Sequence, residues 1–171
     1  MAHALVVVDM IATYDHEDGD VCARQVASRL DAMVARVERA RESDEPVVYV
    51  NDHYGRWDGS RERLIDWVLD QTPDRGLVEP LLPRADDHFL VKARHSIFYE
   101  TPLGYLLNQE DLEGLTLLGQ VTEQCVLYSA LDAHVRHFDV RVAVDACAPI
   151  DDDLGNAALE MMRRNMGAEL V

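Results

Sequence analysis

Short apolar runs rich in β-branched residues alternate with longer amphipathic stretches along this chain. The runs are Ala4–Val8, Val47–Val50, Phe89–Val91, Leu115–Leu118, Val140–Val144 and a short last one at Ala168–Val171. Near-continuous apolar segments of this length suit strands covered on both faces, as in a parallel sheet. Between them, Val21–Arg41 places Val26, Leu30, Met33, Val34 and Val37 on one helical face, and Ser60–Asp70 does the same with Leu64, Trp67 and Val68. Thr101 as N-cap and Pro102 at the first helical position open a helix through Leu107. Thr122–His137 carries Val126, Ser129, Ala130, Ala133 and His137 along one stripe. Asp152 or Asp153 caps a last helix that runs to Met166 and stops at Gly167.

Strand and helix alternate throughout, which predicts an α/β chain. We expect a single doubly wound three-layer domain over residues 1–171, with a mostly parallel six-stranded sheet and helices on both faces. The irregular segments Asp52–Gly59, Thr72–Asp87 and Arg94–Glu100 read as connections, the second packed on the domain. In open parallel sheets ligands bind beyond the carboxyl ends of the strands. That rule selects Asp9, Asp52, Lys92, Gly119–Cys125 and Asp145.

Composition removes several classes. The chain has 171 residues with 48% hydrophobic content, enough for one folded domain and too much for a disordered one. Its 16 basic and 32 acidic side chains give net −16, which repels nucleic-acid phosphates. No apolar run approaches the ~20 residues of a membrane span. The N-terminus enters a strand with no basic region or cleavage site, so a cytoplasmic location is expected. Cys22, Cys125 and Cys147 fit neither a disulfide framework nor a zinc pattern, and read as free thiols of a reducing compartment. Among the basic residues, 15 are arginine and one, Lys92, is lysine.

Three reactive side chains fall at three strand ends: Asp9, Lys92 and Cys125. The first helical turn around Cys125 offers unpaired N–H groups and a positive dipole end, both favouring a thiolate. A neighbouring Lys92 ammonium would add to this, and Asp9 could take the thiol proton. Each also has an ordinary structural reading: a small buried hydrophobe, a loop carboxylate and a solvated lysine.

The segments Ala4-Leu-Val-Val-Val-Asp9-Met10, Val48-Tyr-Val-Asn-Asp52, Lys92-Ala-Arg-His-Ser-Ile-Phe98 and Leu117-Leu-Gly-Gln-Val-Thr-Glu-Gln-Cys125-Val, with Ala130-Leu-Asp132-Ala and Val144-Asp145-Ala after them, resemble the isochorismatase-like cysteine hydrolases over essentially the whole chain. This family includes nicotinamidases and N-carbamoyl amidohydrolases. The resemblance implies a catalytic triad of Asp9, Lys92 and Cys125. The thiolate would attack a carbonyl, an amine would leave, and water would release the acyl-enzyme, with Asp9 as base and then acid. It further implies a cis peptide at Gln120–Val121 and an oxyanion hole from the N–H groups of Val121 and Cys125. The other reading of Gly119-Gln-Val-Thr is a plain strand-to-helix turn capped by Thr122. Two other functions stay open. One is a vinyl-ether hydrolase of the isochorismatase type, which needs no nucleophilic cysteine. The other is a non-catalytic small-molecule-binding module, although Gly-x-Gly-x-x-Gly and Walker loops are missing.

The sequence departs from nicotinamidases at their metal site. They hold an ion with an Asp-x-His pair and further histidines, whereas here His53 is adjacent to Asp52 and Tyr54 takes the expected place. Adjacent side chains of an extended segment point to opposite faces. No bound metal and no cofactor are therefore expected. His3, His88, His95, His134 and His137 lack ligand spacing and read as surface or helix-face residues. Tyr14, Asp52, Tyr54, Trp57 and Tyr99 could wall a pocket for a planar or apolar small molecule, with core packing as the alternative for the aromatics. Arg94 could grip a carboxylate or make a surface ion pair. Cys22 and Cys147 read as structural. A homo-oligomer, dimer or larger, is expected from the resemblance. The small-residue stripe of Val126, Ala130 and Ala133 suits either an interface or the core.

Overall fold

The computed structural model describes residues 2–57 and 60–171, so Asp58 and Gly59 of the expected connection after Asp52 lie outside the described residues. Among these, six strands form one sheet: β1 (His3–Val8), β2 (Val47–Asp52), β3 (His88–Lys92), β4 (Gly114–Gln120), β5 (Asp139–Ala148) and β6 (Glu169–Leu170). Their order is β3-β2-β1-β4-β5-β6 and every pairing is parallel, not merely most. Six α-helices cover it: α1 (Gly19–Ala27), α2 (Leu30–Glu42), α3 (Arg61–Gln71), α4 (Leu103–Gln109), α5 (Leu127–Val135) and α6 (Asp152–Met166).

The two-residue period of β1 divides the core. Ala4, Val6 and Val8 face a cluster with Leu103, Leu107, Ala130, Ala133 and Met162 of α4, α5 and α6. Leu5 and Val7 face Val26, Met33, Val37, Leu64 and Val68 of α1, α2 and α3. This is why β1 reads as a continuous apolar run. Val126, Ala130 and Ala133 are fully buried, so that stripe serves the core. His3 is also buried, at 7% exposure within β1, and is not a surface residue.

Several expected boundaries move, each for a local reason. The helix expected over Val21–Arg41 is two helices. At the break the Ser28 hydroxyl and the Arg29 guanidinium both donate to the Gln25 carbonyl, diverting an acceptor from the helical ladder. Asp151, not Asp152 or Asp153, caps α6, accepting the Leu154 N–H at 2.9 Å. Glu123 Oε1 fixes that turn by accepting the Ile150 and Asp151 N–H groups. Gly167 ends the helix at φ 69°, as its position predicts. α4 starts at Leu103, with Thr101 Oγ1 accepting the Leu103 N–H one residue before the Pro102 cap position. β5 runs past its expected end through a bulge between the partners of Leu117 and Gly119. Asp145 therefore lies inside β5, where it pairs with Arg36 at 2.6 Å, and is not a strand-end residue.

The winding reverses at β1. The chain steps outward through β2 to β3, then returns to place β4 on the other side of β1. Connections leave the carboxyl ends of β1 and β4 in opposite directions, opening a crevice between Asp9 and the segment after Gln120. Gly119 makes the close approach there. It has φ +121°, and a Cβ on it would lie 2.1 Å from the Val8 carbonyl oxygen. Gly119→Ala should cost at least about 2–3 kcal/mol, read as a lower midpoint of urea unfolding. An unchanged midpoint would contradict that account.

Candidate active site

Asp9 follows β1 with φ 53°, a left-handed turn that aspartate tolerates better than most residues. Its N–H donates to the Val50 carbonyl at 3.1 Å. Asn51 holds the next residues by bonding both the N–H and the carbonyl of Ile11 at 2.9 Å. In this turn Asp9 Oδ1 accepts the Asp52 N–H at 2.8 Å, and Oδ2 lies 2.9 Å from Lys92 Nζ. Lys92 is the last residue of β3 and only 1% exposed. Its ammonium also stands 3.8 Å from Cys125 Sγ and 3.9 Å from Asp52 Oδ2. One buried cation thus bridges a carboxylate and a sulfur.

Cys125 lies in a single π turn, Thr122–Val126, rather than in the first turn of a regular helix. The Val126 N–H reaches back to the Val121 carbonyl at 3.1 Å, closing this wider turn before α5 begins. Val121 occupies the cap position and Thr122 makes no cap. The Gln120–Val121 peptide is cis. Gln120 Nε2 donates to the Asp9 carbonyl at 2.8 Å, tying the ends of β4 and β1 together. The Val121 backbone favours the Cys125 thiolate.

The balance of charges nevertheless favours a thiol at rest. Burial pushes Cys125 up to about 12, the Asp9 carboxylate adds to this, and Lys92 opposes it. Lys92 and the turn do favour the thiolate, as the sequence argument has it, but desolvation of the sulfur outweighs them. Burial also raises Asp9, against the pull of Lys92. Burial works against the charge on Lys92, but the Asp9 carboxylate, by its charge and its hydrogen bond, offsets it, so the ammonium is retained. A thiol beside a carboxylate with raised proton affinity can hand its proton over when an electrophile arrives.

A cavity of about 880 Å³ opens over these groups. Tyr14, Asp52, Tyr54, Trp57, Arg94 and Tyr99 all line it. Tyr14 is buried with its hydroxyl 3.5 Å from Gln120 Nε2, and the Tyr54 hydroxyl donates to the Ile11 carbonyl at 3.0 Å. Trp57 and Tyr99 are exposed at the rim, Trp57 at 69%. Arg94 is exposed and makes no ion pair among the described residues. Cys22 and Cys147 are buried. Cys22 touches the cavity wall, and Cys147 faces the Leu117 carbonyl at 3.7 Å.

The donors near Asp52 do not fit a metal ion. His53 Nδ1 accepts the Gly55 N–H at 2.8 Å, and its ring stacks on Trp57 at 3.8 Å. Asp52 Oδ1 accepts the Tyr54 N–H at 2.8 Å. Among the described residues no group of three or more His, Cys, Asp or Glu could hold an ion.

Sequence reasoning missed His95. It sits on the loop after β3 with Nδ1 3.7 Å from Cys125 Sγ, so it is a cleft residue as well as an exposed one. The signal was its place three residues after Lys92, on a loop leaving a strand end. It also missed the Gln120 side chain and Asn51, because hydrogen bonds between separate strand ends carry no sequence spacing.

The Isochorismatase domain family model matches residues 3–171. The uncharacterized isochorismatase family protein YaaI of Bacillus subtilis is 30% identical over 98% of this chain and 92% of its own length. Maleamate amidohydrolase of Pseudomonas putida is 26% identical, covering 84% of this chain and 70% of its own. The crystal structure of N-carbamoylsarcosine amidase from Thermoplasma acidophilum superposes with a TM-score of 0.72 at 30% identity, over 99% of this chain and 95% of that one.

Proposed function

Because the chain belongs to the isochorismatase family, we propose that this cleft hydrolyses a C–N bond of a small carboxamide or carbamoyl compound, with Cys125 as nucleophile. The observation that carries the proposal is the single ammonium of Lys92, 2.9 Å from the Asp9 carboxylate and 3.8 Å from the Cys125 sulfur. Asp9 takes the thiol proton as sulfur adds to the carbonyl. Lys92 offsets the charge as it moves from carboxylate to sulfur. The N–H groups of Val121 and Cys125 hold the oxyanion, a role worth about 2.7–4 kcal/mol per donor elsewhere. Asp9 then returns the proton to the departing amine, and water cleaves the thioester. Two of the relatives above are amidases by name, which supports the same bond type. A vinyl-ether hydrolase would have no use for a thiol held between Asp9, Lys92 and His95.

The test is ammonia or amine release from a panel of primary amides, ureas and carbamoyl compounds. Turnover of at least one class, abolished by stoichiometric iodoacetamide at Cys125, is the expected result. Inert behaviour across the panel, or activity that survives alkylation, would refute the proposal.

A further inference from the structure

Building on the thioester reading above, we propose that His95 is a second catalytic base, which deprotonates the water that releases the acyl group from Cys125. The two sides of the sulfur are chemically different. Lys92 Nζ approaches at 3.8 Å from a position only 1% exposed, and as an ammonium it has no lone pair to accept a proton. Asp9 lies on the same buried side as Lys92, with one oxygen on the Asp52 N–H and the other on the ammonium. His95 Nδ1 approaches at 3.7 Å from an exposed residue of the cavity rim. Water that reaches the thioester comes from the cavity, and on that side His95 is the described residue whose imidazole nitrogen stands against the sulfur.

The loop holds the ring there. Its edge packs on Tyr128 of α5, with centroids 5.6 Å apart at 77°. The next residue, Ser96, bonds the Asp132 carboxylate on α5. The Ile97 N–H then donates to Ser129 Oγ at 3.1 Å, and that hydroxyl donates to the Cys125 carbonyl. Two successive anchors therefore tie the His95 loop to the helix that follows Cys125, so one helix positions both ring and sulfur.

In the step, an O–H bond of water breaks and its proton goes to Nδ1, the Nε2 tautomer being the reactive one. The oxygen electron pair forms the C–O bond at the thioester carbonyl. Collapse breaks the C–S bond, with its electron pair going to sulfur. The imidazolium proton then passes to the thiolate, leaving a carboxylic or carbamic acid, a thiol and a neutral imidazole. Asp9 serves acylation and His95 serves deacylation.

The experiment uses p-nitrophenyl acetate as an acylating probe with rapid mixing, comparing the wild-type protein with His95→Phe, His95→Gln, His95→Gly and Cys125→Ala. Phe keeps the edge contact with Tyr128 but carries no proton. The expected result is a burst of one equivalent in the His95 variants, at a rate within about 3-fold of wild-type acylation. Steady-state release falls by about 10²–10⁴-fold, the usual contribution of a general base, and added imidazole restores it in His95→Gly. Acylation and steady state falling by the same factor would assign His95 to positioning and overturn the proposal, as would no change in either. Failure of the thioester reading looks different: Cys125→Ala would then turn over like the wild type, removing both proposals together.

Discussion

Cys125→Ala should remain folded and lose amide turnover by roughly 10⁴-fold or more, the scale on which removing a covalent nucleophile acts in other hydrolases. The fold should tolerate the change because little of it depends on the sulfur. Cys125 lines an open cavity, so truncation extends that cavity instead of leaving a sealed void. The anchoring bond from Ser129 goes to the Cys125 carbonyl, which alanine keeps. A buried thiol pushed up to about 12 contributes no charge at neutral pH that alanine would remove. Thermal unfolding within a few degrees of wild type, together with no measurable ammonia release, is the expected pair of results. Cys147→Ala serves as the internal control. Its thiol is buried on β5 against the Leu117 carbonyl, away from the cavity lining, so turnover should survive. If Cys125→Ala retains activity, the chemistry does not run through sulfur.

The parts of this site that were legible in the sequence are those that the strand-end rule and the resemblance both reach. Asp9, Lys92 and Cys125 each follow or end an apolar run, and parallel strands bring their carboxyl ends to one side. Periodicity also located every strand and most helices. The missing parts depend on longer-range geometry. Asp145 ends an apolar run but not its strand, because a bulge opposite Leu118 lets β5 continue to Ala148. The break at Ser28 follows from side-chain bonds to Gln25, which a hydrophobic stripe does not encode. The effect of burial on Cys125 is out of reach of the sequence for a related reason. Sequence shows that a lysine and a turn are near the sulfur, but not how completely water is excluded from it.

Lys92→Met should be the most destabilising single change in the site, and its cost should depend on pH. Methionine fills much the same volume but leaves Asp9 with the Asp52 N–H and the Cys125 thiol as partners and no cation. Breaking a buried ion pair from one side typically costs about 3–5 kcal/mol. Burial already raises the Asp9 carboxyl while Lys92 pulls it down, so removing Lys92 leaves the raising effect unopposed. A folded-state pKa above the unfolded value of about 3.9 means the folded protein binds the proton more tightly. Stability is then fully present below the unfolded value and is lost as pH rises through the folded one. The penalty of Lys92→Met relative to wild type should therefore be largest near pH 7 and shrink toward pH 4, as followed by urea unfolding at each pH. Adding Asp9→Asn should recover most of the loss, since it removes the stranded charge. A penalty independent of pH, and not relieved by Asp9→Asn, would show that packing rather than charge fixes the lysine. Lys92→Arg separates charge from shape. It keeps the cation, so it should cost less stability than methionine. Its planar fork cannot place one compact donor between a carboxylate and a sulfur at a position only 1% exposed, so turnover should still be lost. In a chain that uses arginine at its 15 other basic positions, near-wild-type turnover by Lys92→Arg would remove the ammonium from the mechanism.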